Sequence, residues 1–585
     1  MESTEGQRGR DSSSSSSGGG SGVKRSPLEV LMNQIRRKRT ATDRKPLGRL
    51  LSRNSEKNLI SEEVETERKE ERKPSAADPA ESERDVGWGR VCVFLQRLGK
   101  KADSKNLSLA HCDLTATDLL ELATLLQFLP RLEEVDVSWN ELIGGCLRAL
   151  TSHLQQVGGI KALKLCSCRL NADDVIALGE ALGCVPLLDV LDLSYNGGVG
   201  DGALQGLLGN LHPPLRELHL VSCQLNAADA SALGGMVSAL STLCVLDVSC
   251  NPRLAQEVEG VGGFRELTSS LSHASSLSTL RLQACGLTAD GLDALGGSLR
   301  YLPSMRELDL SCNKTLTGGL SRLTSHLAHL THLESLDLHL CCLTPADLDA
   351  LIQVLPSLTA LTELDVSSNK EAGAVIHPLV SALPLTQMRR LPLNSCSLTE
   401  DSFTALALAA PFLRSVDVSW CKVVSGRLAL LLDALQPSII LELRLSSCDL
   451  TTDDLRHLAA VCRRGSLSSL RVLDLSYNGS VCDDGWSSLF SAGGLSSLQD
   501  VDISLRPLTS APCSAWLPAL LSAVPQLLAL TRLALQRWNS SMQERQQLKH
   551  RLRKRSVLLE WDCSGVMSSS KLTNQESTEE SQPEE

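Results

Sequence analysis

Aromatic side chains are scarce in this chain of 585 residues, at 3% of the total, and no apolar run approaches the roughly 20 residues that a membrane-spanning helix needs. Serine and glycine runs near the start of the sequence occupy the place where a secretion signal would have its apolar core. The net charge of −11 argues against nonspecific nucleic-acid binding. We therefore expect no membrane insertion, no secretion and no nucleic-acid partner.

A leucine motif repeats along most of the chain with a period of about 28 residues. The pattern L-x-x-L-x-L occurs sixteen times, with its central pair running from Leu107 and Leu109 to Leu533 and Leu535. Two versions alternate: LRELHLVSCQL (215–225) ends its strand with cysteine, and LDVLDLSYN (188–196) ends it with asparagine. No single repeat can bury its own leucines, so neighbouring repeats must stack to form a continuous core.

A helix start follows the cysteine version of the motif. Thr or Asn is followed three residues later by Asp, as in Thr115/Asp118, Asn171/Asp174, Asn226/Asp229, Thr344/Asp347 and Thr451/Asp454. The first side chain can accept hydrogen bonds from the free N–H groups of the first turn, and the aspartate favours the positive end of the helix. Apolar residues with helical spacing come next, so each repeat is predicted to be a strand, a turn and a helix.

These alternating motifs resemble the leucine-rich repeats of the ribonuclease-inhibitor type. The resemblance implies an α/β fold, a leucine-rich-repeat solenoid shaped as a horseshoe, with a parallel β-sheet on the concave face and helices on the convex face. We predict a solenoid over 106–540, an N-terminal cap over 86–105 and a C-terminal cap over 541–566. Residues 1–85 and the acidic tail 567–585 have too little apolar surface to fold and are predicted to be disordered.

The cysteines indicate a reducing compartment. Seven of them occupy the same position in alternate repeats: Cys112, Cys168, Cys223, Cys285, Cys341, Cys396 and Cys448. Successive members are two strands apart, about 10 Å, whereas a disulfide needs Cα atoms within about 7 Å. We expect them to fill the turns as small buried side chains. Cytoplasm is the predicted location, with the nucleus as the alternative, since the basic cluster Arg36, Arg37, Lys38 and Arg39 is either an import signal or a solvated charge run.

Sites for catalysis, metals and cofactors are not predicted. No C-x-x-C occurs, so zinc-ribbon and thioredoxin-like sites lack their first motif. Paired aspartates such as Asp173 and Asp174 recur at helix starts, where capping explains them. The spacing of His326, His329 and His332 could hold a metal, but an exposed helix ahead of the next strand is the better explanation. We expect a protein that is not an enzyme.

Aspartates dominate one position on the predicted concave face. This position lies between the two buried leucines of each strand, where a side chain points away from the helices. Acids and bases alternate there in the first half of the chain, which would make a self-neutralising ladder between strands. Asp309, Asp337 and Asp365 have no basic neighbour at this position and suggest a surface for a basic partner.

Four aromatic residues share the position just before the Asn or Cys turn: Trp139, Tyr195, Trp420 and Tyr477. Tryptophan and tyrosine dominate protein–protein hot spots, although packing at a repeat corner would also explain them. We therefore predict a monomeric scaffold that binds a protein partner through its concave face and rim. The alternative is a regulator of an enzyme, either a GTPase-activating protein or one similar to ribonuclease inhibitor.

Overall fold

The computed structural model describes residues 105–208, 211, 214–256, 263–553 and 555–562. The basic cluster at 36–39, the predicted disordered segments and almost all of the predicted N-terminal cap lie outside the described residues. The described chain divides into two compact units. The first comprises residues 105–170 and 181–188, and the second comprises 171–180 and the rest from 189 onwards.

Short strands form at the leucine motifs. In the first unit they are β1 (Asn106–Ser108), β2 (Glu134–Asp136) and β3 (Ala162–Lys164). In the second unit they are β4 (Val190–Asp192), β5 (Glu217–His219), β6 (Val245–Asp247), β7 (Thr279–Arg281), β8 (Glu307–Asp309), β9 (Ser335–Asp337), β10 (Glu363–Asp365), β11 (Ser415–Asp417), β12 (Glu442–Arg444), β13 (Val472–Asp474), β14 (Asp500–Asp502), β15 (Ala511–Pro512), β16 (Arg532–Ala534), β17 (Trp538–Asn539) and β18 (Leu558–Glu560).

Parallel pairing joins the strands of neighbouring repeats within each unit. In the first unit β2 lies between β1 and β3. In the second unit β4 to β10 follow chain order, and a further group runs β11, β12, β13, β14, β16, β18. β15 pairs only with β17. The central residue of almost every motif strand is buried and faces the helices, as the leucine pattern predicts.

Helices follow most strands and cover one side of the sheet. They are α1 (Ala116–Leu126), α2 (Arg148–Leu154), α3 (Ala172–Leu182), α4 (Leu204–Leu208), α5 (Ala227–Ala239), α6 (Gly263–Leu271), α7 (Ala289–Leu299), α8 (Leu320–Leu327), α9 (Pro345–Val354), α10 (Ile376–Ala382), α11 (Glu400–Ala409), α12 (Leu428–Ala434), α13 (Thr452–Arg463), α14 (Asp483–Phe490), α15 (Leu517–Ala523) and α16 (Met542–Leu552). Parallel strands that alternate with helices confirm the predicted α/β repeat architecture.

The aspartates at helix starts have two functions. Reciprocal capping hydrogen bonds form at Thr115, Asn226, Thr344 and Thr451, as predicted. The carboxylate of Asp347 also accepts the backbone N–H groups of Gly318 and Leu320 from the preceding repeat, at 2.8 and 2.9 Å. Burial alone would raise the pKa of Asp347, but these hydrogen bonds, with those from Thr344, lower it. The cap therefore also joins adjacent repeats.

Asparagine and cysteine positions connect each repeat to the one before it. The Oδ1 atom of Asn313 accepts from the N–H groups of Cys285 and Leu287, and its Nδ2 group donates to the carbonyl of Leu282. Asn140, Asn251, Asn369 and Asn478 make the same set of bonds. The thiol of Cys285 donates to the carbonyl of Val248, one repeat earlier. Buried turns therefore satisfy their backbone groups through side chains.

The repeat at Leu391 interrupts the sheet. Here the strand is reduced to single bridges at Arg390, which pairs with Glu363 on one side and Ser415 on the other. Pro392 has no N–H to contribute to a ladder, which explains the shortened pairing. The next repeat also has Cys421 where Asn is usual, so the N–H of Cys396 bonds instead to the carbonyl of Leu393 in its own turn.

Thiol labelling of the native protein should distinguish two groups of cysteines. Cys184, Cys342 and Cys482 are exposed, whereas Cys341 and Cys448 are buried, and burial raises the pKa of both thiols to about 12. Since the thiolate is the reacting form, we expect iodoacetamide at neutral pH to modify the exposed group and to spare the buried pair until denaturant is added. Mass spectrometry of peptides measures the modification at each site. Equal labelling of both groups in the native state would contradict this arrangement.

Candidate functional site

Two rows of side chains project from the face of the sheet that lies opposite the helices. The first row is formed by the first residue of each motif strand, and the second row by the third residue. The second row holds the aspartates that recur in the sequence. The first row carries no single recurring residue type, so the motif does not mark it, although the strict alternation of strand side chains predicts both rows.

Asp309, Asp337 and Asp365, hereafter the acidic row, lie side by side in the second unit. The register pairs Asp309 on β8 with Asp337 on β9, and Asp337 with Asp365 on β10. Each carboxylate also accepts the backbone N–H two residues further on, from Ser311, His339 and Ser367, respectively, at 2.8 to 2.9 Å. Part of the preference for aspartate is therefore structural, since it closes the turn after the strand.

Cations flank the acidic row. On one side, Arg281 is the register partner of Asp309, so the expectation of no basic neighbour was wrong for this residue. The Arg281 guanidinium, however, contacts Asp247 at 3.5 Å and Glu307 at 2.7 Å instead. Arg390 contacts Asp365 at 3.3 Å on the other side, from the first row. Within the described residues, no Lys, Arg or His lies within ion-pair distance of Asp309 or Asp337. Two adjacent carboxylates thus carry no direct counter-ion.

The pKa values of these two carboxyl groups reflect that environment. Burial raises the pKa of Asp309, and the charge of Asp247 adds to the effect. Burial also raises the pKa of Asp337 to about 7, with further contributions from the charges of Asp365 and Asp309. A cation placed against Asp337 would favour its ionised form and lower this pKa.

Ion pairs between strands do form, but with partners that the sequence did not indicate. Lys164 lies beside Asp136 in the register, as predicted, yet its ammonium group bonds to Glu134 of the first row at 2.7 Å. Arg281 likewise makes its shorter contact with Glu307 of the first row. The ladder is therefore made partly between the two rows and partly within the second row, where Arg281 also contacts Asp247 of the adjacent strand at 3.5 Å.

The four aromatic positions share a left-handed backbone conformation. Trp139, Tyr195, Trp420 and Tyr477 have φ between 61° and 64°, which is unusual for bulky residues. Their N–H groups donate to the carbonyl of the next repeat, as from Trp420 to Ser446 at 2.8 Å. Trp139, Tyr195 and Trp420 are exposed, with Trp420 at 55%, and Tyr477 is half-buried. They do not pack into the core at a repeat corner.

These seven residues do not form one cluster. Trp139 belongs to the first unit and stacks on His111, with ring centroids 5.3 Å apart. Tyr195 follows β4, and three strands separate β4 from β8. Trp420 and Tyr477 do meet, edge to face, with centroids 6.2 Å apart. The acidic row and the pair of Trp420 and Tyr477 both lie in the second unit. Arg390, which no sequence motif marks, lies between them in chain order.

Other kinds of site are not found in the described part of the chain. No group of three or more His, Cys, Asp or Glu side chains is arranged to hold a metal ion there. Among the described residues, no helix is both long and apolar enough to cross a bilayer.

Comparisons with known proteins agree with the repeat architecture. A family model described as "Leucine Rich repeat" matches residues 329–351 and 466–490. Ribonuclease inhibitor of Sus scrofa is 32% identical over 223 residues, which is 37% of this chain and 48% of the inhibitor. NACHT, LRR and PYD domains-containing protein 12 of Homo sapiens is 34% identical over 194 residues, 32% of this chain and 18% of that protein. The chain therefore spans less than half the length of these relatives.

Solved structures are similar at a lower level. The yeast Rad7 and Elc1 complex gives a TM-score of 0.43 at 17% identity, covering 68% of this chain and 98% of the matched chain. The TLR13–ssRNA13 complex gives a TM-score of 0.37 at 20% identity, covering 74% of this chain and 58% of that chain.

Proposed function

We propose that this leucine-rich-repeat protein, whose repeats are similar to those of ribonuclease inhibitors, is a non-enzymatic scaffold that binds another protein. The contact surface comprises the acidic row and the pair formed by Trp420 and Tyr477. The observation that carries the proposal is the juxtaposition of Asp309 and Asp337 without a direct cation in the described structure.

Adjacent like charges on neighbouring strands destabilise a sheet. Elsewhere on the same face of the sheet, a cation offsets the negative charge of neighbouring acids, as Arg281 does for Asp247 and Glu307. A lysine or arginine of a partner would do the same for Asp309 and Asp337. The partner segment is therefore expected to be basic.

Trp420 and Tyr477 add apolar contact area near the charged surface. Exposed tryptophan and tyrosine side chains supply much of the binding energy in protein interfaces. Their left-handed turns are anchored by backbone hydrogen bonds, so the rings are held outward before any partner arrives. Such preorganisation reduces the entropy lost on binding.

Quantitative affinity purification from cells tests this proposal. Wild-type protein is compared with the variant Asp309→Asn/Asp337→Asn/Trp420→Ala/Tyr477→Ala. We expect at least one protein to be recovered about tenfold less with the variant, in line with the loss of one or two interface hot spots. Retention of that protein should also fall as NaCl is raised, because salt screens exposed charges.

The control for this purification lies on the helical side of the same unit. Leu408 in α11 is 62% exposed and belongs to a helix rather than to the charged face of the sheet, so Leu408→Ser should leave recovery unchanged. If the variant and the control retain the same proteins in the same amounts, the proposed surface is wrong.

Inhibition of a ribonuclease is the second candidate function. It rests on the 32% identity to porcine ribonuclease inhibitor over 223 residues. Titrating ribonuclease A with the full-length chain provides the test, and unchanged activity at a large molar excess would dismiss it.

A reducing compartment, with cytoplasm as the first choice, fits the chemistry of the cysteines. All eighteen cysteines in the described residues are free thiols. The thiols of Cys223, Cys285 and Cys341 donate to backbone carbonyls one repeat away, a function that oxidation would abolish.

A further inference from the structure

A cleft of about 550 Å³ lies beside the interrupted repeat, away from the acidic row and Trp420. It opens where the chain enters the strands of three successive repeats, around Arg389, Arg414 and Leu441. Thr362, Thr386, Gln387 and Ser438 contribute polar groups to its lining, and Met388, Phe412 and Ile439 contribute apolar ones. Neither the sequence motifs nor the proposed scaffold function accounts for this cleft.

The irregular repeats coincide with this opening. The spacing from Leu391 to Val416 is shorter than the usual 28 residues, and the strand at Arg390 is reduced to bridges. The segment from 383 to 389, between α10 and Arg390, contains no helix or strand, and Thr386, Gln387 and Arg389 on it are exposed.

Arg389 and Arg414 occupy equivalent positions, immediately before the strand position of adjacent repeats. The backbone N–H of Arg414 bonds to the carbonyl of Arg389 at 2.8 Å, which fixes the two residues as neighbours. Both side chains are exposed. Within the described residues, neither guanidinium has a carboxylate within 4.0 Å.

At two other places in the chain, opposite charges at this position pair between neighbouring repeats, although the single arginine Arg471 has no ion pair within the described residues. Glu133 lies between Lys105 and Lys161 and contacts both, at 2.5 and 3.0 Å. Arg306 pairs with Glu334 of the next repeat. In the cleft, by contrast, the outer neighbours of the two arginines are Thr362 and Leu441, which carry no charge. Two adjacent positive charges therefore face a polar cavity without an acid at the same position.

We propose that this cleft binds a phosphate monoester attached to an apolar or aromatic group. A phosphate monoester carries nearly two negative charges and three acceptor oxygens, and arginine binds such groups with paired N–H donors. A carboxylate would neutralise only one of the two guanidinium groups. The hydroxyls of Thr386 and Ser438 offer further donors on the same lining.

The apolar wall accounts for the second part of the ligand. Phe412 is half-buried and Ile439 is 36% exposed, so both present surface that a ligand would cover. A phosphorylated side chain of a partner protein and a small phosphorylated metabolite share this chemistry.

Isothermal titration of the full-length protein with phenyl phosphate tests the proposal, with inorganic phosphate and benzoate as comparison ligands. We expect phenyl phosphate to bind more tightly than inorganic phosphate, because of the apolar wall. Its affinity should exceed that of benzoate by about tenfold or more, because phosphate carries a second charge. Equal affinities for phenyl phosphate and benzoate would overturn the assignment to phosphate. Absence of any measurable binding of phenyl phosphate would overturn the site itself.

Matched variants locate the binding. Arg389→Gln/Arg414→Gln should weaken phenyl phosphate binding about tenfold or more, whereas Arg471→Gln should leave it within about twofold. Arg471 holds the same position two repeats after Arg414, beyond Leu441, and does not line the cleft. All three side chains are exposed, so the variants are expected to keep the wild-type melting temperature. Full binding by the double variant would show that the ligand lies elsewhere.

A second comparison identifies the source of the phosphate. A short peptide with a central phosphotyrosine is titrated alongside phenyl phosphate. Tighter binding of the peptide supports a phosphorylated partner segment, and equal binding supports a small metabolite.

Discussion

Replacing Asn313 by alanine is expected to lower the free energy of unfolding by about 3 to 5 kcal/mol. The side chain is 1% exposed. Its Oδ1 accepts from the N–H groups of Cys285 and Leu287 at 2.9 and 3.1 Å, and its Nδ2 donates to two carbonyls. Alanine would leave both N–H groups buried without an acceptor, and each costs about 1 to 3 kcal/mol. Urea unfolding followed by circular dichroism gives the measurement.

The control for this prediction is an exposed asparagine. Asn539 in β17 is exposed, and Asn539→Ala should change the free energy of unfolding by less than about 0.5 kcal/mol. If both substitutions had the same small effect, the buried asparagines would not be what holds the turns of adjacent repeats together.

Replacing Asp337 by asparagine is expected to stabilise the protein at neutral and higher pH. The pKa of Asp337 is raised to about 7 in the folded state by burial and by the charges of Asp365 and Asp309, whereas an unfolded aspartate has a pKa of about 3.9. The folded protein therefore binds this proton more tightly, so the stability that this group contributes falls as the pH rises from about 4 to 7. Asparagine removes that loss.

The size of the effect follows from the pKa difference. A pKa difference of about three units would correspond to about 4 kcal/mol in the free energy of unfolding. Partial exposure of Asp337 reduces this effect to about 2 kcal/mol. We expect the stability difference between Asp337→Asn and wild type to be small near pH 4 and to reach its full value above pH 7. Thermal unfolding measured across this range provides the test.

Asp247 serves as the matched control for the pH prediction. It occupies the same row on β6, but Arg281 lies 3.5 Å from its carboxylate. Asp247→Asn should therefore not stabilise the protein at any pH. If the stability gain for Asp337→Asn did not change with pH, the gain would not come from the ionisation of an unpaired carboxyl group.

The strands, helices and register followed from the sequence because one physical requirement repeats throughout. Each leucine pair must be buried between neighbours, so the repeat alone aligns Leu308 with Leu336, and the register joins them. The helix starts could also be predicted from the sequence, since Thr344 and Asp347 form the cap that their spacing predicts.

Charge partners were harder to predict because they depend on side chains that reach across rows. Lys164 could have bonded to Asp136, its neighbour in the register, but its long side chain reaches Glu134 instead. The same limit applies to Arg390, whose side chain reaches from the first row to Asp365 of the second row.

Among the tryptophans, too, the sequence marks some positions and not others. The position of Trp420 before the turn marked it as a candidate for binding, with packing at a repeat corner as the alternative. Trp486, Trp516 and Trp538 have no such repeating position, and they form a buried cluster near the end of the chain, with ring centroids 4.9 to 6.1 Å apart. Only the three-dimensional arrangement shows that these rings are core residues.

The asparagine hydrogen bonds also limit how such a protein can change its length during evolution. Each Asn turn serves the cysteine-type repeat before it, as Asn313 serves Cys285 and Leu287. Loss of a single repeat would bring two turns of the same type together, and their N–H groups would have to use carbonyls of their own turn, as that of Cys396 does. Gain or loss of two repeats at once preserves every bond. We therefore expect natural length variants of this protein to differ mostly by whole pairs of repeats.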